Sequence, residues 1–324
     1  MNATPLPLTS SLADSPTLNY RTLSHRTLTN AARPADTLTA IIPSVGRVTL
    51  KRAVRSVLRQ SRKTTALVVL DRPDAAENVE RLLAGLPHVL VLTRGGVGAA
   101  AARNLGVQTA RTSHVAFLDD DDEWVSEKSA MQLAVAGADR LVSSRSLLIG
   151  ATSRVVPEQL YQPAGSPRAS VVDYVFDRST LRLRRHFMQT SSLLCSREIA
   201  LQVPWDEELP RHQDWDWVGR MERAGHRLQM LPEVLVRVHQ GTQGSISRSP
   251  DWRASAAWVE SLGAGIDDHA RADFLTSVVA RDAFASRAWW AGARHLAEGL
   301  RAGPHPAAVV VGLSGVVRAV SRGV

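Results

Sequence analysis

Short apolar runs alternate along this chain with segments in which apolar residues recur at helical spacing. The first run, at 38–42, is predicted to be a strand that Pro43 ends, after which Leu50, Val54 and Val57 recur every three or four residues. Further strands are predicted at 66–70, 89–92, 115–118, 140–149, 188–195 and 234–238. Such alternation is typical of strands joined by crossover helices. We therefore expect an α/β fold with a mainly parallel sheet flanked by helices.

Three regions follow from this pattern. Residues 1–36 are rich in Ser, Thr and Leu and are expected to be a disordered tail, 37–248 form the α/β domain, and 249–324 form a helical C-terminal region. No run reaches the roughly 20 apolar residues that a membrane-spanning helix needs. Trp289-Trp290 and the apolar helix at 309–317 are expected to pack within the C-terminal region. Contact with a membrane or a second subunit is the alternative for that pair and that helix.

Composition and charge narrow the class of protein. The chain has 324 residues, of which 44% are hydrophobic and 22% are charged, as in globular domains. The single cysteine, Cys195, excludes a disulfide framework and favours a reducing, cytoplasmic compartment.

The net charge of +8 arises mainly at 37–64, which hold seven basic residues and no acid. Lys51, Arg55, Arg59 and Arg62 share the outer face of the first predicted helix. Either a solvated face or peripheral contact with an anionic membrane, at the inner face of the cell membrane, fits this stripe. Nucleic acid is not expected as a partner, because no aromatic residues are interleaved with these charges.

The candidate chemistry lies where the predicted strands end. Ser44, Asp71, the cluster Gly95-Gly96-Val97-Gly98 and the acidic run 119–123 follow successive strands. Carboxyl ends of parallel strands line one crevice, where ligands bind. The acidic run suits Mg²⁺ or Mn²⁺, with an acidic turn as the alternative, and the glycines permit either anion binding or a tight turn.

The order of five motifs resembles that of the family 2 glycosyltransferases, which have the GT-A fold. The motifs are Pro43-Ser44-Val45-Gly46-Arg47, Val68-Val69-Leu70-Asp71, Gly96-Val97-Gly98 through Ala102-Arg103-Asn104, Phe117-Leu118-Asp119-Asp120-Asp121-Asp122, and His212-Gln213-Asp214-Trp215-Asp216-Trp217. The resemblance covers about residues 37–248. It departs from the family pattern at Ser44-Val45-Gly46, at the lone Asp71 and at Gln213, which stands where a glutamate is customary.

The resemblance implies a role for each matching residue. Eight residues would hold the donor nucleotide. Pro43, Ser44 and Asp71 would contact the base, and Asp119 would lie on the ribose side. The others, Arg47, Gly96, Arg103 and Asp120, would lie near the nucleotide. Asp121 would be the metal ligand of the D-x-D motif, and His239 would complete the metal site. Asp214 matches the catalytic base, for which an ordinary helix cap is the alternative.

The activity implied is metal-dependent, inverting transfer of a sugar from a nucleotide diphosphate donor, with UDP-sugar favoured, to a hydroxyl acceptor. The acceptor would be a glycan, a lipid-linked sugar or a small molecule, and the cofactor Mn²⁺ or Mg²⁺. Two alternatives stay open at this point. One is a nucleotidyltransferase, and the other is a non-catalytic protein that binds nucleotide-sugars.

Overall fold

The computed structural model describes residues 38–162, 170–181, 185–241 and 251–321, so the predicted tail at 1–36 lies outside the described residues. The strands are β1 Leu38–Ser44, β2 Thr64–Leu70, β3 Val89–Leu92, β4 His114–Phe117, β5 Glu123–Trp124, β6 Arg140–Ile149, β7 Arg154–Val156, β8 Leu194–Ser196 and β9 Arg227–His239. Within these residues they form one sheet in the order β3-β2-β1-β4-β8-β6-β9-β5, with β7 beside β6. The first four strands are parallel, whereas β8 runs antiparallel to both of its neighbours.

Helices connect the strands and then form the C-terminal region. They are α1 Leu50–Leu58, α2 Ala76–Leu82, α3 Gly98–Thr109, α4 Lys128–Val135, α5 Val171–Phe176, α6 Arg197–Gln202, α7 Gln213–Arg223, α8 Trp252–Ser261, α9 Asp268–Phe274, α10 Arg281–Ala285, α11 Trp289–Arg301 and α12 Pro306–Ser321. A π-helical segment, Leu275–Ala280, joins α9 to α10. The expected α/β class is confirmed.

The turn before α3 depends on glycine. Gly95, Gly96 and Gly98 all have positive φ, a backbone region that favours glycine. Further along α3, a Cβ added at Gly106 would lie 2.3 Å from Cγ2 of Ile41, so the missing side chain lets the helix lie directly on β1. The glycines therefore determine both where α3 begins and how closely it packs.

One apolar core continues from the sheet into the C-terminal helices. Phe117 at the end of β4 contacts Trp205 and Trp217 edge-on, at centroid distances of 5.1 and 5.3 Å. The same cluster of buried residues includes Phe176, whose ring stacks 4.3 Å from that of Phe274 in α9. Helices α8 and α9 therefore join the core of the α/β domain rather than forming a separate core.

Four details of the predicted elements were wrong. Helix α1 ends at Leu58, so Arg62 does not lie on the outer face that was predicted for it. β1 continues through Pro43 to Ser44; its pairing with β4 ends at Ile41, so the missing N–H of Pro43 is not needed on that side. The strand expected at 188–195 is a 3-10 turn, Thr190–Ser192, followed by short β8, because the Gln189 side chain accepts the Ser191 N–H. The last strand, β9, starts seven residues earlier than the predicted start at 234.

Candidate active site

The end of β1 is tied to the acidic run by two side chains. Ser44 Oγ donates to Asp120 Oδ2 at 2.6 Å, and Arg47 Nη1 donates to Asp120 Oδ1 at 3.0 Å. Burial raises the pKa of Asp120, although Ser44 and Arg47 act in the opposite direction. Asp120 is 3% exposed, so this carboxylate holds the first motif against the fourth.

Asp71, at the end of β2, organises the glycine turn. Its Oδ1 accepts the Val97 N–H at 3.0 Å and the Thr93 hydroxyl at 2.5 Å, and its Oδ2 accepts the Gly98 N–H at 2.8 Å. The Gly96 N–H donates to the Asp71 carbonyl at 3.2 Å. Both carboxylate oxygens therefore brace the turn that leads into α3.

The end of β4 is connected to the 3-10 turn through one serine. Ser191 Oγ accepts the Asp119 N–H at 3.0 Å and donates to Asp122 Oδ2 at 2.7 Å. Asp122 is buried, and its other oxygen accepts the His239 N–H at 3.1 Å. Burial and the nearby charge of Asp119 raise the pKa of Asp122 well above its usual range. Asp122 thus links the acidic run to β9.

His239, at the end of β9, lies beside that run. Its Nε2 is 2.7 Å from Glu123 Oε1, and Arg52 Nε lies 3.4 Å from the same oxygen. Arg52 also donates from Nη2 to the Asp121 carbonyl at 2.6 Å. The first helix and the last strand therefore both contact the segment that carries Asp121.

The donor chemistry at this edge suits a divalent ion. A carboxylate oxygen of Asp121 and an imidazole nitrogen of His239 are ligands that Mn²⁺ accepts. Elsewhere in the part of the chain that the structure describes, the ligand atoms of Asp177, Asp273 and His305 lie within 4.8 Å of one another. There Asp273 accepts hydrogen bonds from the backbone and the ring of His305, which is a structural connection between helices.

Arg103 of α3 joins two motifs that lie far apart in the sequence. Its Nη2 is 2.9 Å from Asp119 Oδ1, and its Nη1 donates to Gln213 Oε1 at 3.1 Å. The guanidinium also lies 4.7 Å from the centroid of the Trp205 ring. The neighbouring Asn104 exchanges hydrogen bonds with the backbone of Trp205, at 2.9 and 2.8 Å. Helix α3 therefore positions the segment that leads into α7.

His212 precedes α7 in a left-handed conformation, with φ of 59°, which is uncommon for a residue other than glycine. Its ring stacks against both Trp215 and Trp258, at centroid distances of 5.0 and 4.8 Å, and Nε2 lies 2.8 Å from Ser255 Oγ. Burial lowers the pKa of His212 to about 3, so the ring is neutral at pH 7. Helix α8 thereby clamps the start of α7.

Asp214 lies inside the first turn of α7. The residue at the N-cap is His212, so the interpretation of Asp214 as an ordinary cap is wrong. Burial raises the pKa of Asp214 to about 6, with a smaller raising effect from Asp119 and a lowering effect from Arg103. A carboxylate with this pKa is ionised at pH 7 and retains more basicity than a solvated one.

The structure thus brings Arg103, Asp119 and Asp214 to one place, and it brings His239 to the acidic run. The roles assigned to these and the other predicted site residues remain predictions. Two connecting residues, Thr93 and Ser191, lie outside every motif of the sequence, while Gln213 was noted only as a departure and Glu123 only as the end of the acidic run. No local pattern marks their connecting role, because each acts through a partner distant along the chain.

Comparison with known proteins gives a family for this arrangement. The model of glycosyl transferase family 2 matches residues 39–194, which run from β1 into β8. The amylovoran biosynthesis glycosyltransferase AmsB of Erwinia amylovora is 27% identical over 216 residues, which are 63% of this chain and 69% of AmsB. An uncharacterized glycosyltransferase of Methanocaldococcus jannaschii is 22% identical over 197 residues, which are 58% of this chain and 64% of that protein.

Solved structures share the fold. Residues 1–349 of S. aureus TarS in complex with UDP-GlcNAc superpose with a TM-score of 0.57 at 15% identity, covering 88% of each chain. The mannosyltransferase PcManGT from Pyrobaculum calidifontis, in complex with GDP-Man and Mn²⁺, gives 0.52 at 17% identity, covering 88% of this chain and 81% of its own. These likenesses confirm the expected GT-A type of fold. The five motifs lie in order on that fold, and the part of the chain from residue 39 to residue 194 matches glycosyl transferase family 2.

Proposed function

We propose that the protein is an inverting, metal-dependent glycosyltransferase that moves a sugar from a UDP-sugar to a hydroxyl acceptor, forming a β-glycosidic bond in polysaccharide or glycoconjugate synthesis. The bridge made by Arg103 between Asp119 and Gln213 carries this proposal. It sets the carboxylate of Asp214 beside the crevice at the carboxyl ends of β1 to β4. In-line displacement requires a base on the acceptor side of the anomeric carbon and donor-binding groups on the opposite side.

In the proposed reaction the acceptor hydroxyl oxygen attacks the anomeric carbon, and the bond from that carbon to the diphosphate oxygen breaks. Asp214 takes the hydroxyl proton, and the nucleoside diphosphate leaves. The nucleotide would be held by Pro43, Ser44, Arg47, Asp71, Gly96, Arg103, Asp119 and Asp120. Arg103 would also balance the negative charge of Asp119, with which its Nη2 pairs at 2.9 Å.

Asp121 and His239 are the residues we assign to Mn²⁺ or Mg²⁺. Such an ion neutralises the charge that develops on a departing diphosphate. Glu123 would orient the His239 ring through the 2.7 Å contact with Nε2. The Mn²⁺ bound in PcManGT supports an ion in this type of fold.

The donor is tested by thermal stabilisation. We expect UDP and UDP-sugars, with Mn²⁺ present, to raise the melting temperature more than the corresponding guanosine, cytidine or thymidine nucleotides. The UDP-GlcNAc held by TarS supports this choice, whereas PcManGT holds GDP-Man. If GDP-sugars raise the melting temperature more than UDP-sugars do, the proposed donor would change to a GDP-sugar and the proposed reaction type would stay the same. If no nucleotide raises the melting temperature, the proposed activity would be wrong.

The outer face of α1 supports a proposed contact with an anionic membrane that carries the acceptor, at the cytoplasmic side. Lys51, Arg55 and Arg59 of this face line a cleft of about 560 Å³, which Arg237 of β9 also enters. Among the residues that the structure describes, no carboxylate lies within ion-pairing distance of Lys51, Arg55, Arg59 or Arg237.

Changing Lys51, Arg55, Arg59 and Arg62 to Glu should weaken co-sedimentation with anionic liposomes at low salt, since each cation near such a surface contributes about 1 kcal/mol. The same four-fold change at exposed arginines elsewhere, Arg81, Arg111, Arg223 and Arg253, is the control for net charge. Sedimentation unaffected by the α1 changes would contradict the proposed contact.

A further inference from the structure

The C-terminal helix α12 packs with its smallest residues inward. Ala308, Gly312, Gly315 and Ala319 recur every three or four residues, and all four are buried. A Cβ on Gly312 would lie 2.5 Å from the Thr276 carbonyl oxygen, and one on Gly315 would lie 2.1 Å from the Arg281 carbonyl oxygen. At these positions the helix therefore contacts the segment from α9 to α10 through close approach of its backbone.

The large apolar residues of α12 lie on the opposite side. Val310, Leu313, Val317 and Val320 share one face at helical spacing, with exposed fractions of 55%, 46%, 65% and 61%. Helix α11 also packs through a glycine. A Cβ on Gly292 would lie 2.4 Å from Cδ1 of Phe284, while Trp289, Trp290 and Leu300 are exposed. We call the exposed set from Trp289, Trp290, Leu300, Val310, Leu313, Val317 and Val320 the outer apolar face.

The charges around this face indicate what covers it. The exposed charged side chains of α11 and α12, which the structure describes throughout, are three arginines, Arg294, Arg301 and Arg318, and Glu298, which pairs with His295 at 3.4 Å. The net charge of these exposed side chains is therefore positive. A two-fold contact between copies would bring such a face against itself and place like charges together. An anionic lipid surface instead complements these arginines and accepts the valines and tryptophans, which favour the interface between headgroups and acyl chains.

We propose that α11 and α12 lie on an anionic lipid surface and insert the outer apolar face into it. None of the described helices is long and apolar enough to cross a bilayer, so the contact is interfacial. This deepens the membrane contact proposed above, but it rests on different residues. Its failure is distinguishable from failure of glycosyl transfer, because binding is measured without nucleotide or acceptor.

The test is co-sedimentation of the full chain with vesicles of phosphatidylglycerol and phosphatidylcholine, in 0.1 M and in 0.5 M NaCl. Salt screens the contribution of α1 but leaves apolar insertion. The double variant Leu313→Gln/Val317→Gln should weaken binding at least tenfold at both salt concentrations. The matched control is Leu201→Gln/Val155→Gln, which removes one exposed Leu and one exposed Val elsewhere and should bind as the unaltered protein does.

A spectroscopic measurement separates insertion from unfolding. Brominated lipids should quench the fluorescence of the unaltered protein, and Trp290→Phe should lose most of that quenching. Both variants should melt within about 2 °C of the unaltered protein, since the changed side chains are exposed.

Three results would each overturn the proposal. They are unaltered protein that does not bind vesicles, a double variant that binds as the control does, and self-association in gel filtration that only Leu313→Gln/Val317→Gln abolishes. The last result would assign the outer apolar face to a second copy.

Discussion

Asp214→Asn should lower turnover by about two to four orders of magnitude, which is the usual cost of a missing general base. The amide keeps the shape of the side chain and accepts the Trp215 N–H as the carboxylate does. Nucleotide affinity should stay nearly unchanged, because the proposed donor-binding groups lie on other elements. Steady-state kinetics and calorimetry with UDP measure the two quantities separately.

The pH profile adds a second readout for the same residue. With the pKa held near 6 by burial, turnover should rise with pH through about 6 and then level off. The folded state binds this proton more tightly than the unfolded state, so the stability that Asp214 contributes is present at low pH and is lost as pH rises through 6. Asp214→Asn should therefore melt slightly higher than the unaltered protein at pH 8, by the equivalent of about 1 to 2 kcal/mol.

The controls for Asp214 are two neighbouring acids. Glu208 is exposed, and Glu208→Gln should keep normal turnover. Asp216 accepts hydrogen bonds from Arg220 Nε at 2.7 Å and from Trp258 Nε1 at 3.2 Å. Its replacement should therefore lower the melting temperature more strongly than it lowers turnover. Near-normal transfer by Asp214→Asn would remove this residue from the mechanism and direct the search for the base to Asp216 or Glu208.

Asp121→Ala should make nucleotide binding insensitive to Mn²⁺ and lower turnover by about two to three orders of magnitude, because the ion supplies several kcal/mol of charge stabilisation during transfer. Calorimetry with UDP, with and without EDTA, is the measurement. EDTA added to the unaltered protein should reproduce the loss of affinity. Asp268→Ala, which changes an exposed aspartate in α9, is the matched control and should respond to Mn²⁺ normally.

A double-mutant cycle tests whether Asp121 and His239 hold the same ion. If they do, the loss of UDP affinity in Asp121→Ala/His239→Ala should be clearly smaller than the sum of the two single losses. Additive losses, or equal UDP affinity with and without metal in the unaltered protein, would contradict the shared site.

The sequence alone predicted the sheet, because local signals are strong where a strand is buried on both faces. The run at 89–92 and the run at 140–149 were predicted with their observed bounds. The prediction was wrong at 188–195, where hydroxyl and amide side chains compete for the backbone and form a turn instead. The spacing of apolar residues carries no information about such hydrogen bonds.

The four consecutive aspartates show what required the tertiary structure. In the sequence they are alike, but the fold directs Asp119 to Arg103, Asp120 to Ser44 and Arg47, and Asp122 to Ser191 and the backbone of His239. Partners from 16 to 117 residues away decide which carboxylate is buried and which faces the crevice. No local pattern carries that information.

Helix α12 shows the same difference between what the sequence predicts and what the tertiary structure decides. The apolar character of α12 is evident in the sequence, and packing within the C-terminal region was the expected use of it. The tertiary structure shows that glycines and alanines make that packing and that the valines face outward. Sequence determined the elements, their order and the residues able to carry chemistry, because these depend on local spacing. Long-range contact alone decided which side of each element is buried and which acids meet which bases, since both depend on what packs against them.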